Sequence, residues 1–324
     1  MPTRSRLLVV LAAAALSAAW AKSEEPARQR PASAPVLKGL KAPEWGVFLV
    51  GGKTVAGGGG EAPDFVQRVE IPPQQSESPQ ENLSPAKEPV IHVYVPRSTS
   101  PTPLTVTVGF PTGRPELAWP CCKAGWGYLG CPQKDLYPTL TWDLHVGGAL
   151  DLKQRGVPEN HWISAARKVD SDFLVTRDTH EAERFLFYEG KTTVEPQVRI
   201  HDLVHPGITT GACVFDSEGP SEAWCVLGGV FFHAMGLQPG KPSRVTGCES
   251  KDLEAQLSLA LTGAGLSKAE AKALLTIWMP ELTKPGTRLV YAMPRTHYDK
   301  LLPIDFTPAP EELVRVGLVI QELP

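Results

Sequence analysis

Three stretches of this chain alternate apolar and polar residues with a period of two, and that period restricts the fold more than any other feature. Ile91-His92-Val93-Tyr94-Val95, Leu104-Thr105-Val106-Thr107-Val108 and Thr139 to Val146 each place every second side chain on one face. A strand does this because successive side chains leave the pleat on opposite sides. β-branched residues are frequent, so each stretch reads as a strand of a half-buried antiparallel sheet. In the third, Leu140, Trp142, Leu144 and Val146 share the apolar face. Further candidates at 172–176, 184–188, 195–201, 211–216 and 223–233 are separated by turn residues at the spacing of a sandwich or barrel.

The period then changes. Leu253, Leu257, Ala260 and Leu261 form one stripe of a helix that Ser250 can cap, and Gly263-Ala264-Gly265 stops it. Ser267 and Glu270 form an S-x-x-E capping box, and Ala271, Leu274, Leu275 and Trp278 continue at helical spacing. Pro280 lacks the N–H of an interior position and ends or kinks this second helix. Helices over 250–263 and 267–280, joined by a short turn, must pack antiparallel. The surface expected to receive them is Leu289, Tyr291, Val314, Val316 and Leu318. The β pattern returns at 289–293, 302–306 and 313–323. The fold class is therefore α+β, mainly β: an antiparallel, sandwich-like body with a C-terminal αα-hairpin at 250–283 packed on it.

The N-terminal third reads differently. Arg4 and Arg6 precede an apolar run, Leu7 to Ala19, that is too short to span a bilayer, and Ala19-Trp20-Ala21 supplies small residues for cleavage. Residues 1–21 read as a secretory signal peptide, leaving no transmembrane segment in the mature chain. Residues 22–88 hold nine of the 32 prolines and eight of the 29 glycines and read as a disordered tether with one short strand at Trp45 to Val50. The body is expected over 89–324. A formal net charge of −3, before Arg4 and Arg6 are removed, gives no basic footprint for nucleic acid.

Gly51-Gly52-Lys53-Thr54 resembles the end of a phosphate loop, but Val47 stands where the first glycine belongs and a glycine run follows, so no nucleotide or other cofactor is expected. The six cysteines (121, 122, 131, 213, 225 and 248) contain no zinc-knuckle spacing, and in an exported chain they read as disulfides. Cys122 is expected to close onto Cys131, and Cys213 onto Cys225 across a hairpin that turns at Gly219-Pro220. His201 and His205 have the H-x3-H spacing of paired metal ligands and could join His233. Pro206 argues against the helix this spacing needs, so no metal is expected. Asp170, Asp172, Glu181 and Glu183 could supply a glycosidase pair but fit a charged turn equally. Trp119, Trp126, Tyr128, Tyr137 and Trp142 could form a glycan platform or pack a core.

Scattered motifs over 88–324 resemble an uncharacterised family of exported bacterial proteins. Glu88-Pro89-Val90-Ile91-His92-Val93-Tyr94 is similar to its opening strand. Trp162 with Ala166-Arg167 resembles its W-x-x-A-R step. Glu183 to Gly190 is close to E-x-F-L-F-Y-R-G, with Glu189 reversing the usual Arg charge. Ala269-Glu270-Ala271 with Trp278 is similar to its helix, and Leu302-Pro303-Ile304 through Val314-Arg315-Val316 to its closing segment. The resemblance implies an exported bacterial body and no activity. The leading expectation is a non-enzymatic envelope or extracellular protein whose partner is another envelope protein or a glycan. The alternative is a secreted hydrolase with a site not recognisable in sequence.

Overall fold

The computed structural model describes residues 35–51, 62–71, 83–97, 100–129, 136–147, 154–204, 212–227, 230–246 and 252–323. The signal-peptide reading, Cys131, His205 and Cys248 therefore lie outside the described residues. In chain order the elements begin with β1 (Val36–Val50), β2 (Gln67–Arg68), β3 (Ser84–His92), β4 (Thr102–Gly109), β5 (Arg114–Trp119), β6 (Lys123–Gly127) and β7 (Tyr137–Val146). Then come α1 (Trp162–Arg167), β8 (Leu174–Thr176), β9 (Ala182–Glu183), β10 (Phe185–Thr192), β11 (Val198–Val204), β12 (Ala212–Ser217), β13 (Glu222–Leu227), β14 (Val230–Met235) and β15 (Ser243–Thr246). The chain closes with α2 (Leu253–Gly263), α3 (Lys268–Leu282), β16 (Thr287–Met293), α4 (Arg295–Leu301), β17 (Ile304–Thr307) and β18 (Ala309–Leu323).

These elements stack in three layers. A nine-stranded sheet in the order β14-β13-β16-β18-β1-β3-β10-β5-β2 forms the middle. One face packs on a second sheet, β17-β4-β7-β8-β9 with β6 beside β7, and helices α1, α2 and α3 cover the other. A three-stranded sheet, β11-β12-β15, adjoins the sandwich. The alternation expected for the second sheet is present. Leu104, Val106, Val108, Leu140, Trp142, Leu144 and Val146 enter the sandwich core. Thr105 and Thr107 on the outer face bond Asp143 and Thr141 across the strand pair at 3.0 and 3.1 Å. One sheet is half solvated, and its neighbour is buried on both faces.

The body begins earlier than 89: the compact unit spans Ala34–Pro324, with β1 at its centre. Residues expected to be a tether with one short strand instead pair with β18 on one side and β3 on the other. Every residue from Ala42 to Val50 is buried, so this strand shows no alternation and reads as an isolated apolar run. β1 also runs parallel to β18, a departure from the all-antiparallel expectation.

The helical pair forms, with small corrections. Asp252 caps α2 by accepting from Ala255 N, while Ser250 lies outside the described residues. The Ser267–Glu270 capping box is complete, with bonds of 2.7 and 3.2 Å. Helix α3 runs through Pro280 to Leu282, because proline removes one N–H only and the Thr283 N–H and hydroxyl both reach the Met279 carbonyl at the helix end. The receiving face matches the expected one at Val314, Val316 and Leu318 and departs from it at Leu289 and Tyr291. Val290, Val316, Leu318 and Ile320 meet the helices, together with Trp45 and Val90. Leu289 and Tyr291 point into the sandwich core, one register position away. Trp278 is fully buried, as are Leu257, Ala271, Leu274 and Leu282.

Trp278→Ala should lower unfolding free energy by about 3–5 kcal/mol in urea titration, because the helix–sheet core cannot close over so large a void. A loss under 1 kcal/mol would place Trp278 outside that core.

Candidate functional site

The chemistry-bearing side chains fall into three interior groups and one surface region. The first group lies in the sandwich core. Glu44 and Arg315 are direct register partners on β1 and β18, and the Arg315 Nε–H donates to the Glu44 carboxylate. The Tyr188 hydroxyl donates to the other carboxylate oxygen. Arg315 also donates to Asp299 at 2.8 Å, and its guanidinium lies 4.1 Å from the centre of the Tyr298 ring. Asp299 accepts two 2.8 Å bonds from Arg295, which carries the network to the surface. Burial and the neighbouring Glu44 hold the Tyr188 and Tyr298 hydroxyls protonated, well above the usual tyrosine range. Gly317 permits the approach: a Cβ there would stand 2.9 Å from Phe48 and 3.2 Å from Tyr298.

The second group centres on Glu183, which is fully buried. It accepts from Arg167 through Nε and Nη2 at 2.7–3.2 Å, from Trp119 and Gln154 at 2.9 Å, and from the Arg184 backbone. A carboxylate saturated by this many donors is a tie between α1 and the sheet, with no lone pair left for a substrate. The other acidic candidates are separated from it by role. Asp172 holds Val95 N at 2.7 Å, Glu181 holds Cys121 N at 2.7 Å, and Asp170 is exposed beside Arg184. Glu189, where the family resemblance has Arg, pairs with Lys87 at 2.8 Å.

The third group was not singled out by sequence. His92 is buried between Trp45 and Phe185, with ring centres 6.2 Å from each, and its Nε2 lies 3.2 Å from the Ala166 carbonyl of α1. Two residues on, the Tyr94 hydroxyl donates to Glu270 of α3 at 2.7 Å. The period-two reading put both residues on an outward face, and it contained no sign that helices cover that face.

Of the sequence-derived metal candidates, only His233 has a described side chain. His201 lies on β11, and its side chain and His205 lie outside the description. His233 sits on β14, bonded to Glu222 at 3.1 Å and stacked on Trp224 at 4.6 Å. Among the described residues no group of three His, Cys, Asp or Glu could hold a metal ion. The hairpin expected to join Cys213 and Cys225 is absent. β12 pairs with β11 and β15, whereas β13 pairs with β14 and β16, so Cys213 stands opposite Leu203 and Val245 and Cys225 opposite Phe232 and Leu289. Gly219-Pro220 is a crossing between sheets, which alternation cannot distinguish from a hairpin turn. Cys121 and Cys122 are thiols, and burial raises the pKa of both.

The aromatic segment divides. Trp119, Tyr137 and Trp142 pack in the cores, while Tyr128 is 47% exposed. Leu136 is 50% exposed, and continuing the Gly127–Tyr137 register places it opposite Tyr128. These two are among five large apolar side chains exposed in the described residues, and they adjoin β6, which pairs only with β7 there. No helix among the described residues is long and apolar enough to cross a membrane. No family model matches the chain, no curated protein is significantly similar to it, and no solved structure matches its fold.

Glu44→Leu should destabilise the body by about 3–5 kcal/mol, because it strands the Arg315 charge in the core. Glu44→Leu combined with Arg315→Met should recover most of that loss in urea titration. Equal losses in the single and double variants would show that the two residues do not act as a pair.

Proposed function

We propose that this is an exported, non-enzymatic envelope or extracellular protein that binds an extended segment of a partner protein along β6. The observation that carries the reading is the contrast between interior and surface. Glu183, Arg167, Glu44, Arg315 and His92 are spent holding strands and helices together, whereas Tyr128 and Leu136 are presented beside a strand that, among the described residues, pairs along one edge only. Such an edge offers main-chain hydrogen bonds to an added strand, and adjoining apolar side chains supply selectivity. Gly125 leaves open space where a side chain would stand, so a partner can approach the backbone. Export rests on the cationic head, apolar run and small residues of 1–21. The hydrolase alternative draws no specific support, since its four candidate carboxylates serve separate structural contacts.

A photo-crosslinking residue placed at 128 or 136 in the native host should give one and the same protease-sensitive adduct, and none from exposed position 259 on α2. The mature chain should begin at Lys22 outside the cytosol. Retention in the cytosol, equal adducts at 259, or an adduct resistant to protease would each overturn the reading.

A further inference from the structure

We propose that His92 makes docking of the helical layer onto the nine-stranded sheet acid-sensitive, so that proton uptake by its imidazole loosens α1 and α3 while the sandwich stays folded. The geometry is that of a two-point latch on one strand face. His92 donates through Nε2 to the carbonyl of Ala166 in α1, and Tyr94 donates to Glu270 at the first turn of α3. These contacts join the strand to two separate helices, which also pack on each other.

The latch holds only a neutral imidazole. With Nε2–H donating to Ala166, Nδ1 is an acceptor, buried and without a partner. A proton added at Nδ1 creates a second donor with no acceptor, inside a wall of Trp45 and Phe185. The charged groups facing it are Glu270 from α3, which favours the cation, and Arg184 ahead of β10, which opposes it. The charged Arg167 of α1 is held by Glu183. Burial outweighs the rest and pushes His92 down to about 4.

The sign follows from that depression. In the docked state the imidazole remains neutral down to about pH 4, whereas an imidazole released to water takes its proton below about 6.5. The latch is therefore at full strength above about pH 6.5. Within that window the docking equilibrium falls by up to roughly tenfold per pH unit of acidification. Release of a partly independent layer is the kind of sub-global opening that proteins show below their global unfolding free energy. If the chain is exported, external pH is the signal, but the device itself does not rest on that reading.

Hydrogen exchange read by mass spectrometry at about pH 7.5 and pH 5, corrected for intrinsic rates, tests this on the whole mature chain. Peptides covering 162–167 and 268–282 should lose protection at least tenfold at the lower pH, while those covering β4 and β7 keep theirs. His92→Gln keeps a neutral donor for Ala166 and should abolish the difference. Unchanged helix protection, a loss that persists in His92→Gln, or β4 and β7 opening in step would each overturn the proposal. Should His92→Gln not fold, isotope-labelled histidine in the unsubstituted protein still decides. The His92 resonance must stay that of a neutral imidazole well below pH 6.5 while the helices are docked, and one that titrates near 6.5 with the helices still protected refutes it.

Discussion

The parallel seam between β1 and β18 is the constraint on which the rest of the body depends. These two strands stand side by side in the middle of the nine-stranded sheet, and each carries a further strand on its other edge. Glu44 and Arg315 lie opposite each other in that seam, with opposite charges in an apolar core. Taking both charges from water costs several kcal/mol, which mutual attraction and added hydrogen bonds must offset. Tyr188, Asp299 and the Tyr298 ring supply those additions. A slip of one residue along the seam would leave both charges buried and unpaired and turn every other side chain to the wrong layer. The pair thus fixes register more than it adds stability.

From the seam outward, both faces of the sheet are determined. Residues Trp45, Val47 and Leu49 turn toward the helices, and Leu40, Ala42, Phe48 and Val50 toward the second sheet. The same parity on β18 sends Val316, Leu318 and Ile320 to the helices and Val319 to the sandwich. Glu183 and Arg167 then fasten α1 to β9, while Arg288 reaches the Lys284 carbonyl just beyond the end of α3 at 2.7 Å. Polar groups in this interior act as fasteners between layers that apolar packing alone would leave free to slide.

What could be read in the sequence follows from this layering. β4, β7 and the α2–α3 pair were legible because each has one wet and one dry face, and periodicity reports that contrast. β1 was legible only as a short strand at 45–50, because burial on both faces erases the alternation that would have marked its length and central place. His92 and Tyr94 were misplaced on an outward face for a related reason: alternation shows that two faces differ, without showing that the second is covered. Glu44 and Arg315 carried no signal at all, since residues so far apart become neighbours only through topology. The capping box at Ser267 was fully legible because it is complete within four residues. The Cys213–Cys225 hairpin failed because turn residues mark a change of direction without naming the sheet that the next strand joins.

One consequence of the seam concerns time. Arg315 follows Glu44 by 271 residues, so β1 emerges from the ribosome long before its partner exists. Until then the central strand has an open edge and the strands that flank it have no settled place. Non-local pairing of this kind folds slowly, because loop closure must come before any reward. At the elongation rates of cells the interval is on the order of ten seconds or more. Throughout it, the chain offers an unfinished apolar ribbon to any chaperone or secretion channel that handles unfolded polypeptides. The architecture therefore keeps its central sheet incomplete through most of synthesis, and completes it only when β18 arrives.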